Sequence, residues 1–456
     1  MLKPTIFREY DIRGVADAEL LSDDVAGLGQ AIGTYLRRHG GTNLCLGRDT
    51  RLSSTRLRDA LMLGLKSSGC HITDIGVQPT PLLYYATVHL NADGGVTITG
   101  SHNPPEFNGF KTVLGAGTIH GEAIQEIRRM IETGDLDRGA GSETSTDVAT
   151  PYVEEVAAQF HFPRRIRVVV DAGNGTGGPV AHRVLERLNV EPVEMFFEMD
   201  GRFPNHHPDP TVPRNLEALV ARVLETKADL GLAFDGDADR IGAIDERGQI
   251  LWGDQLMILY AREILRRKPG ATFIGEVKCS QLMYDDIAAH GGHPIMWKTG
   301  HSLIKAKMRE TGAELAGEMS GHMFFADRYH GYDDAIYAAC RLIEIVANSG
   351  RPLSTHLADL PRTVATPEIR FDCPDEIKFD VVRLAAAELR ASHQTVEVDG
   401  VRVLFAEGWG LVRASNTQPV LVMRFEATTP ELLTQYRREV ESVVERSQRQ
   451  AQLTGD

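Results

Sequence analysis

The chain has 456 residues, 42% of them hydrophobic and 25% charged, a balance that excludes a disordered, collagenous or coiled-coil protein. At about 150 residues per domain, the length suggests three domains able to bury cores without disulfides or a structural metal. A net charge of −14 excludes a general nucleic-acid surface, which has to be basic, but does not exclude an anionic small-molecule substrate. Five scattered cysteines (Cys45, Cys70, Cys279, Cys340, Cys373) contain no C-x-x-C pair, so neither a disulfide framework nor a zinc site is expected. The first residues lack an apolar signal region, and no run approaches the ~20 apolar residues that span a bilayer. A cytoplasmic protein with no membrane or nucleic-acid partner is expected, and a monomer.

Taken in chain order, short apolar runs end in polar, Gly-containing loops and alternate with amphipathic segments, the pattern of α/β layers. Residues 44–46 run into Gly47-Arg48-Asp49, and 96–98 into Gly100-Ser101-His102. Ile124, Ile127 and Ile131 recur at helical spacing. The polar stretch 133–150 reads as a linker, closed by Thr150 as N-cap and Pro151 as the first helical residue. Residues 167–170 then lead into DAGNGTGG and 230–234 into DGDADR. A third unit follows: 273–274 into GEVKCS, 294–297 into KTGHS, 315–316 into GEMSGH. From about Thr363 strand-like segments at 368–371, 395–398, 401–405 and 420–425 precede one long helix opening at Thr429-Pro430-Glu431. This last unit is a smaller α+β domain, so four units are expected: 1–146, 147–248, 249–361 and 362–456.

Several loops carry groups that could do chemistry. In DGDADR, Asp235, Asp237 and Asp239 repel one another unless a hard divalent cation sits among them; the alternative is a solvated acidic turn. An EF-hand is excluded because Arg240 stands at its obligatory Gly position and the flanks read as strands. The Ser101 loop, SHNPPEFNGFK, offers either an exposed nucleophile or a proline-braced turn with a capping Ser, and taken alone the turn is favoured. DAGNGTGG is formally G-x-G-x-x-G, but no other nicotinamide feature supports it and a ligand-free Gly-rich turn is favoured. In GEMSGH, Glu318 and Ser320 suit paired hydrogen bonds to vicinal sugar hydroxyls. RASNTQP, with Arg413, Ser415, Asn416 and Thr417, presents the donors a phosphate takes. Either of the last two loops is equally readable as an ordinary turn. NHHPDP reads as a packed interdomain loop rather than a His206/His207 metal site.

Together, and in this order along essentially the whole chain, FREYDIRG, SHNPPEFNGFK, DGDADR, GEMSGH and RASNT resemble the α-D-phosphohexomutases, in particular the bacterial phosphomannomutase/phosphoglucomutase group. The resemblance implies three similar mixed α/β domains and a smaller C-terminal α+β domain around a central cleft. It implies that Ser101 is a phosphoserine and that Mg²⁺ is bound by Asp235, Asp237, Asp239 and the Ser101 phosphate. Arg240 would steady the transferring oxygens, and His102 and Lys111 lie near the nucleophile, with Lys111 as general acid/base. Tyr10 and Arg13 match the N-terminal active-site segment. Glu318 and Ser320 match the sugar-binding loop, with Lys278 and His301 beside it. Arg413, Ser415, Asn416 and Thr417 grip the phosphate that is not transferred. The implied reaction interconverts hexose 1- and 6-phosphates of mannose and glucose through a hexose 1,6-bisphosphate. Ala238 departs from the Gly that many relatives carry in the metal loop. Met319 resembles the mannose/glucose subgroup, whereas glucosamine mutases more often carry Gln there. The competing readings are a phosphoglucosamine mutase, a non-catalytic sugar-phosphate or Ca²⁺ sensor, and a nicotinamide dehydrogenase.

Overall fold

In the computed structural model, which describes residues 2–115, 117–416 and 418–454, four sheets follow one another along the chain. In the first, Asn43–Arg48 pairs in parallel with His71–Val77 and Gly94–Ile98, and Phe107–Leu114 returns antiparallel beside Gly94–Ile98. In the second, Ile166–Asp171 is parallel to Val190–Met195 and Leu230–Phe234, and Ile241–Asp245 returns antiparallel. In the third, Thr272–Glu276 is parallel to His293–Trp297 and Leu315–Gly317, and Met323–Phe325 returns antiparallel. The strands that lead into the polar loops are continuous apolar runs because both their faces are covered, as in Leu230–Phe234, which is buried throughout. Each of the first three units thus ends its parallel run in a hairpin. The tips of those hairpins are 99–106, 235–240 and 318–322, the three loops singled out above.

The fourth sheet is antiparallel, with Val401–Phe405, Gly408–Ala414 and Val420–Ala427 in succession, and its core includes side chains of Lys378–Arg390 and the helix that ends the described chain. The connection between its last two strands follows Arg413 and carries Ser415 and Asn416 of the RASNT segment. Among the described residues no helix is long and apolar enough to cross a membrane.

Three details differ from the sequence expectations. The second unit opens with a helix at Ala149–Ala158, ahead of Thr150, because the Asp147 carboxylate accepts from the Ala149 and Thr150 amides (2.9 and 3.3 Å). The stretch 133–150 contains an edge strand, Ser142–Ser145, paired with His71–Val77; fully exposed, it carries no apolar signal. Arg413 lies inside a strand, Gly408–Ala414, that its glycines conceal.

One continuous apolar core joins the helix Thr80–His89 to the second and third units, whereas the C-terminal domain has its own core. It meets the third unit through a small patch, Val277, Trp409 and Leu411, beside two arginines. Buried Arg402 lies over the Trp409 ring and donates to the carbonyls of Val277 (2.8 Å) and Cys279 (2.7 Å), while Arg424 donates to that of Lys278. Arg402→Met leaves those carbonyls unpaired, at about 1–3 kcal/mol each. Calorimetry of that variant is expected to show an earlier transition of the C-terminal domain.

Candidate active site

Ser101 takes a left-handed conformation (φ 48°) at the end of Gly94–Ile98, costing about 1–2 kcal/mol that the surrounding bonds hold in place. Its amide donates to Thr99 Oγ1 (2.8 Å) and its carbonyl accepts from Arg51 (2.9 Å). The hydroxyl, buried, donates to Asp235 Oδ2 at 2.7 Å, and His102 Nδ1 lies 3.1 Å from Ser101 Oγ. With the hydroxyl proton directed at Asp235, His102 donates from Nδ1 to Oγ. Burial, with Arg240, Arg13 and Lys111 nearby, pushes the His102 imidazole far down and keeps it neutral.

Asp235, Asp237 and Asp239 are all buried, each with a carboxylate oxygen within 4.8 Å of the others. Asp235 Oδ1 accepts the amides of Asp239 (3.1 Å) and Arg240 (3.2 Å). Asp237 Oδ2 accepts from Thr80 Oγ1 (2.5 Å), Thr99 Oγ1 (3.0 Å) and Lys111 Nζ (3.0 Å). Among the described residues Asp237 Oδ1 and Asp239 Oδ1 are buried without a hydrogen-bond partner. Burial and its two neighbouring carboxylates drive Asp235 well up, whereas Lys111 and Thr80 outweigh burial at Asp237 and bring it down. An all-oxygen cluster that cannot hold three charges unaided, with two unpartnered oxygens, fits a hard divalent cation. Ala238, inside the loop, takes a left-handed conformation (φ 55°) without spreading the carboxylates.

Lys111 also bonds Asp239. Burial opposes its charge, but Asp237 and Asp239 more than compensate and raise its pKa, so it stands as an ammonium. Arg240 donates from Nε to His322 Nε2 (3.0 Å), which fixes the remaining proton of a neutral His322 on Nδ1. That nitrogen lies 3.1 Å from both the Asp239 carbonyl and Asp333 Oδ2, and Lys305 bonds Asp333 Oδ1 (3.0 Å). His322 was not among the residues predicted for the site, although it ends the GEMSGH motif; its partners lie 83 residues before it and 11 after. Backbone bonds hold these loops together, Thr80 amide to Asp237 carbonyl (2.9 Å) and Ile241 amide to Gly321 carbonyl (3.0 Å).

On the facing side, Glu318 accepts from the Gly300 amide (2.7 Å) and the Ser320 hydroxyl (3.0 Å). Lys278 reaches Glu368 of the C-terminal domain (3.3 Å). His301 lies edge-on to Tyr10 and 5.8 Å from the His322 ring centre, its Nδ1 without a partner among the described residues. Tyr10, which burial pushes up to about 12, donates to the Thr299 carbonyl (2.8 Å) and accepts from Asn416 (2.6 Å). Three of the four units meet there. Arg413 donates to Asp399 (2.9 Å), which also takes the Thr299 amide. Ser415 accepts from the Gln418 amide (3.2 Å), and Arg13 holds Asn103 of the serine loop (2.9 Å). Thr417 lies outside the described residues.

The remaining motifs pack within the second unit. A Cβ at Gly175 of DAGNGTGG would lie 2.5 Å from the Gly236 carbonyl, so the glycine serves close packing and needs no dinucleotide. In NHHPDP, His206 Nε2 pairs with buried Asp171 (2.9 Å). Burial opposes the imidazolium, but Asp171 outweighs it and raises the pKa. The pair therefore stabilises fully below pH ~6.5 and is lost as pH rises through the raised value. The Tm deficit of His206→Gln is expected to be larger at pH 5.5 than at pH 9.

Comparison with known proteins matches the chain to four successive family models. They are phosphoglucomutase/phosphomannomutase alpha/beta/alpha domain I (residues 4–138), domain II (150–248) and domain III (252–364), and the C-terminal domain (368–443). A phosphomannomutase/phosphoglucomutase of Pseudomonas syringae pv. tomato is 45% identical over 94% of this chain and 92% of its own. A phosphoglucomutase of Neisseria gonorrhoeae is 43% identical over 96% of both chains. The crystal structure of a phosphoglucomutase/phosphomannomutase family protein from Burkholderia thailandensis superposes with a TM-score of 0.92, at 42% identity, over 98% of each chain.

Proposed function

The chain belongs to the phosphoglucomutase/phosphomannomutase family and is a phosphohexomutase; from that premise we propose that it interconverts the 1- and 6-phosphates of mannose and glucose through a phosphorylated Ser101 and a hexose 1,6-bisphosphate. The observation that carries the reading is the buried Ser101 hydroxyl 2.7 Å from Asp235, inside the three-aspartate cluster. A non-catalytic sensor has no use for a strained serine in that place.

Asp235, Asp237 and Asp239 would hold Mg²⁺, which would neutralise charge on the transferring phosphoryl group. As the sugar hydroxyl oxygen bonds to phosphorus and gives up its proton, the bond from phosphorus to Ser101 Oγ breaks and Oγ takes a proton; in the second half the other phosphoryl group leaves its sugar oxygen for Oγ and the proton moves the opposite way. Lys111, standing as an ammonium, is the general acid/base: it gives its proton to the departing oxygen and recovers one from the attacking hydroxyl. Arg240, pinned by His322, steadies the phosphoryl oxygens. Glu318 and Ser320, with Lys278 and His301, hold sugar hydroxyls, while Arg413, Ser415, Asn416 and Thr417 grip the other phosphate. Tyr10 and Arg13 tie that grip to the serine loop. The intermediate turns over between the two halves, so the C-terminal domain, with its small interface, releases and recloses. Burial of Ser101 keeps water from hydrolysing the phosphoserine. Five cysteines, all buried thiols, suit a cytoplasmic enzyme, and phosphosugars are its partners, with no nucleic acid and no second subunit.

A mutase assay with mannose, glucose and glucosamine 1-phosphates, activated by glucose 1,6-bisphosphate, tests the proposal. Turnover of the first two is expected; a large preference for the amino sugar overturns the choice of substrate.

A further inference from the structure

We propose that Arg51 is a positioning residue for phosphoryl transfer, its guanidinium holding the Ser101 loop in the shape that aims Oγ at the aspartates. The inference rests on Ser101 being the phosphoryl carrier. Arg51 lies outside the loops discussed so far, just beyond the strand Asn43–Arg48, and its side chain is wholly buried.

A guanidinium has five N–H groups, and here all five are used. Nε donates to Asp49 Oδ2 (3.1 Å). Nη1 donates to the carbonyls of Pro104 (2.5 Å) and Phe107 (3.0 Å), and Nη2 to those of Ser101 (2.9 Å) and Asn103 (2.6 Å). Four of the five acceptors are therefore main-chain oxygens of residues 101–107. A loop that turns four carbonyls inward, with Ser101 at φ 48°, does not keep that shape without the group that satisfies them.

Asp49 completes the clamp from the other side. Its carboxylate accepts the Gly100 amide (3.0 Å), the Ser54 hydroxyl (2.5 Å) and the amide of Arg51 itself (3.0 Å). The fit is tight: a Cβ at Gly100 would stand 2.3 Å from Arg51 Nε. Arg51 has no hydrogen bond to the aspartate cluster or to the sugar and phosphate loops among the described residues. Its loss thus acts on where Oγ points and not on substrate affinity. A lysine, with three donors on one nitrogen, satisfies only part of the ring of carbonyls.

The test compares wild type, Arg51→Lys and Arg51→Met in the mutase assay, with phosphoserine occupancy read by intact mass after incubation with glucose 1,6-bisphosphate. A misplaced nucleophile is expected to lower kcat about 100-fold in Arg51→Met, with KM within threefold of wild type. Arg51→Lys should recover part of that loss, and occupancy should fall in the order wild type, Lys, Met. Should Arg51→Met not fold, Gly100→Ala replaces it, pressing on the guanidinium from the loop side with the same kcat-selective loss expected. A folded variant with kcat within threefold of wild type, or KM rising in step with the fall in kcat, overturns the role of Arg51. A wild type without mutase activity overturns the phosphohexomutase reading and this inference with it.

Discussion

Ser101→Ala is expected to fold like the wild type and to lose at least about a thousandfold in kcat, since a covalent carrier has no substitute among its neighbours. The groups that shape the loop are main-chain ones: the Ser101 amide on Thr99 and the Ser101 carbonyl on Arg51 survive the substitution. What disappears is one hydroxyl, whose side-chain hydrogen-bond partners among the described residues are Asp235 and His102. Leaving Asp235 Oδ2 without that donor costs about 1–3 kcal/mol, small beside the loss of chemistry. Ser101→Gly separates the two effects. Glycine takes φ 48° without the steric penalty, about 1–2 kcal/mol, so this variant should match or exceed Ser101→Ala in stability and be equally inactive. Intact mass should find no phosphate on either variant after glucose 1,6-bisphosphate. Wild-type-like turnover by Ser101→Ala removes Ser101 as the carrier.

The aspartate loop was legible because its signal is local: an apolar strand, three carboxylates on alternate residues, and a second strand. The placement of that loop beside three others has no local signal and was legible only through the family resemblance. In the segment 107–114, Asn108 and Lys111 interrupt the apolar pattern of a strand, yet both are buried, Asn108 on Ser53 and Ser54 and Lys111 on two aspartates more than 120 residues away. Only those partners make the segment a return strand, and only the return strand makes the Ser101 loop a hairpin tip equivalent to 235–240 and 318–322. Arg51 was hidden for a different reason. Its acceptors are carbonyl oxygens, which every residue has, so no motif records them. The helix Lys378–Arg390 carries buried Val381, Ala385 and Leu389 at readable spacing, masked by the strand-rich texture around it.

Those partnerships also set the second large effect. Asp235→Asn is expected to abolish Mg²⁺-dependent thermal stabilisation and to reduce turnover about a thousandfold, while leaving the metal-free protein as stable as metal-free wild type. Without a cation the cluster is overcharged, and burial with Asp237 and Asp239 beside it drives Asp235 toward its protonated, neutral form. Asparagine has the shape of that form. Its carbonyl can take the Asp239 and Arg240 amides that Oδ1 takes now, and its NH₂ can donate to Ser101 Oγ once the serine proton turns to His102 Nδ1. The metal-free state therefore has little to lose. The cation-bound state loses a unit charge and one oxygen of an oxygen-only site, with an N–H left pointing toward the serine. A ligand that binds only the folded protein stabilises it by about 2.7 kcal/mol at a hundredfold excess over Kd, and that increment should be absent from the variant. Thermal melts of both proteins in EDTA and in millimolar Mg²⁺ make the comparison. A variant that gains as much from Mg²⁺ as wild type does would show that the cation sits elsewhere. One that melts far below wild type in EDTA would show instead that Asp235 is charged and indispensable to the metal-free fold.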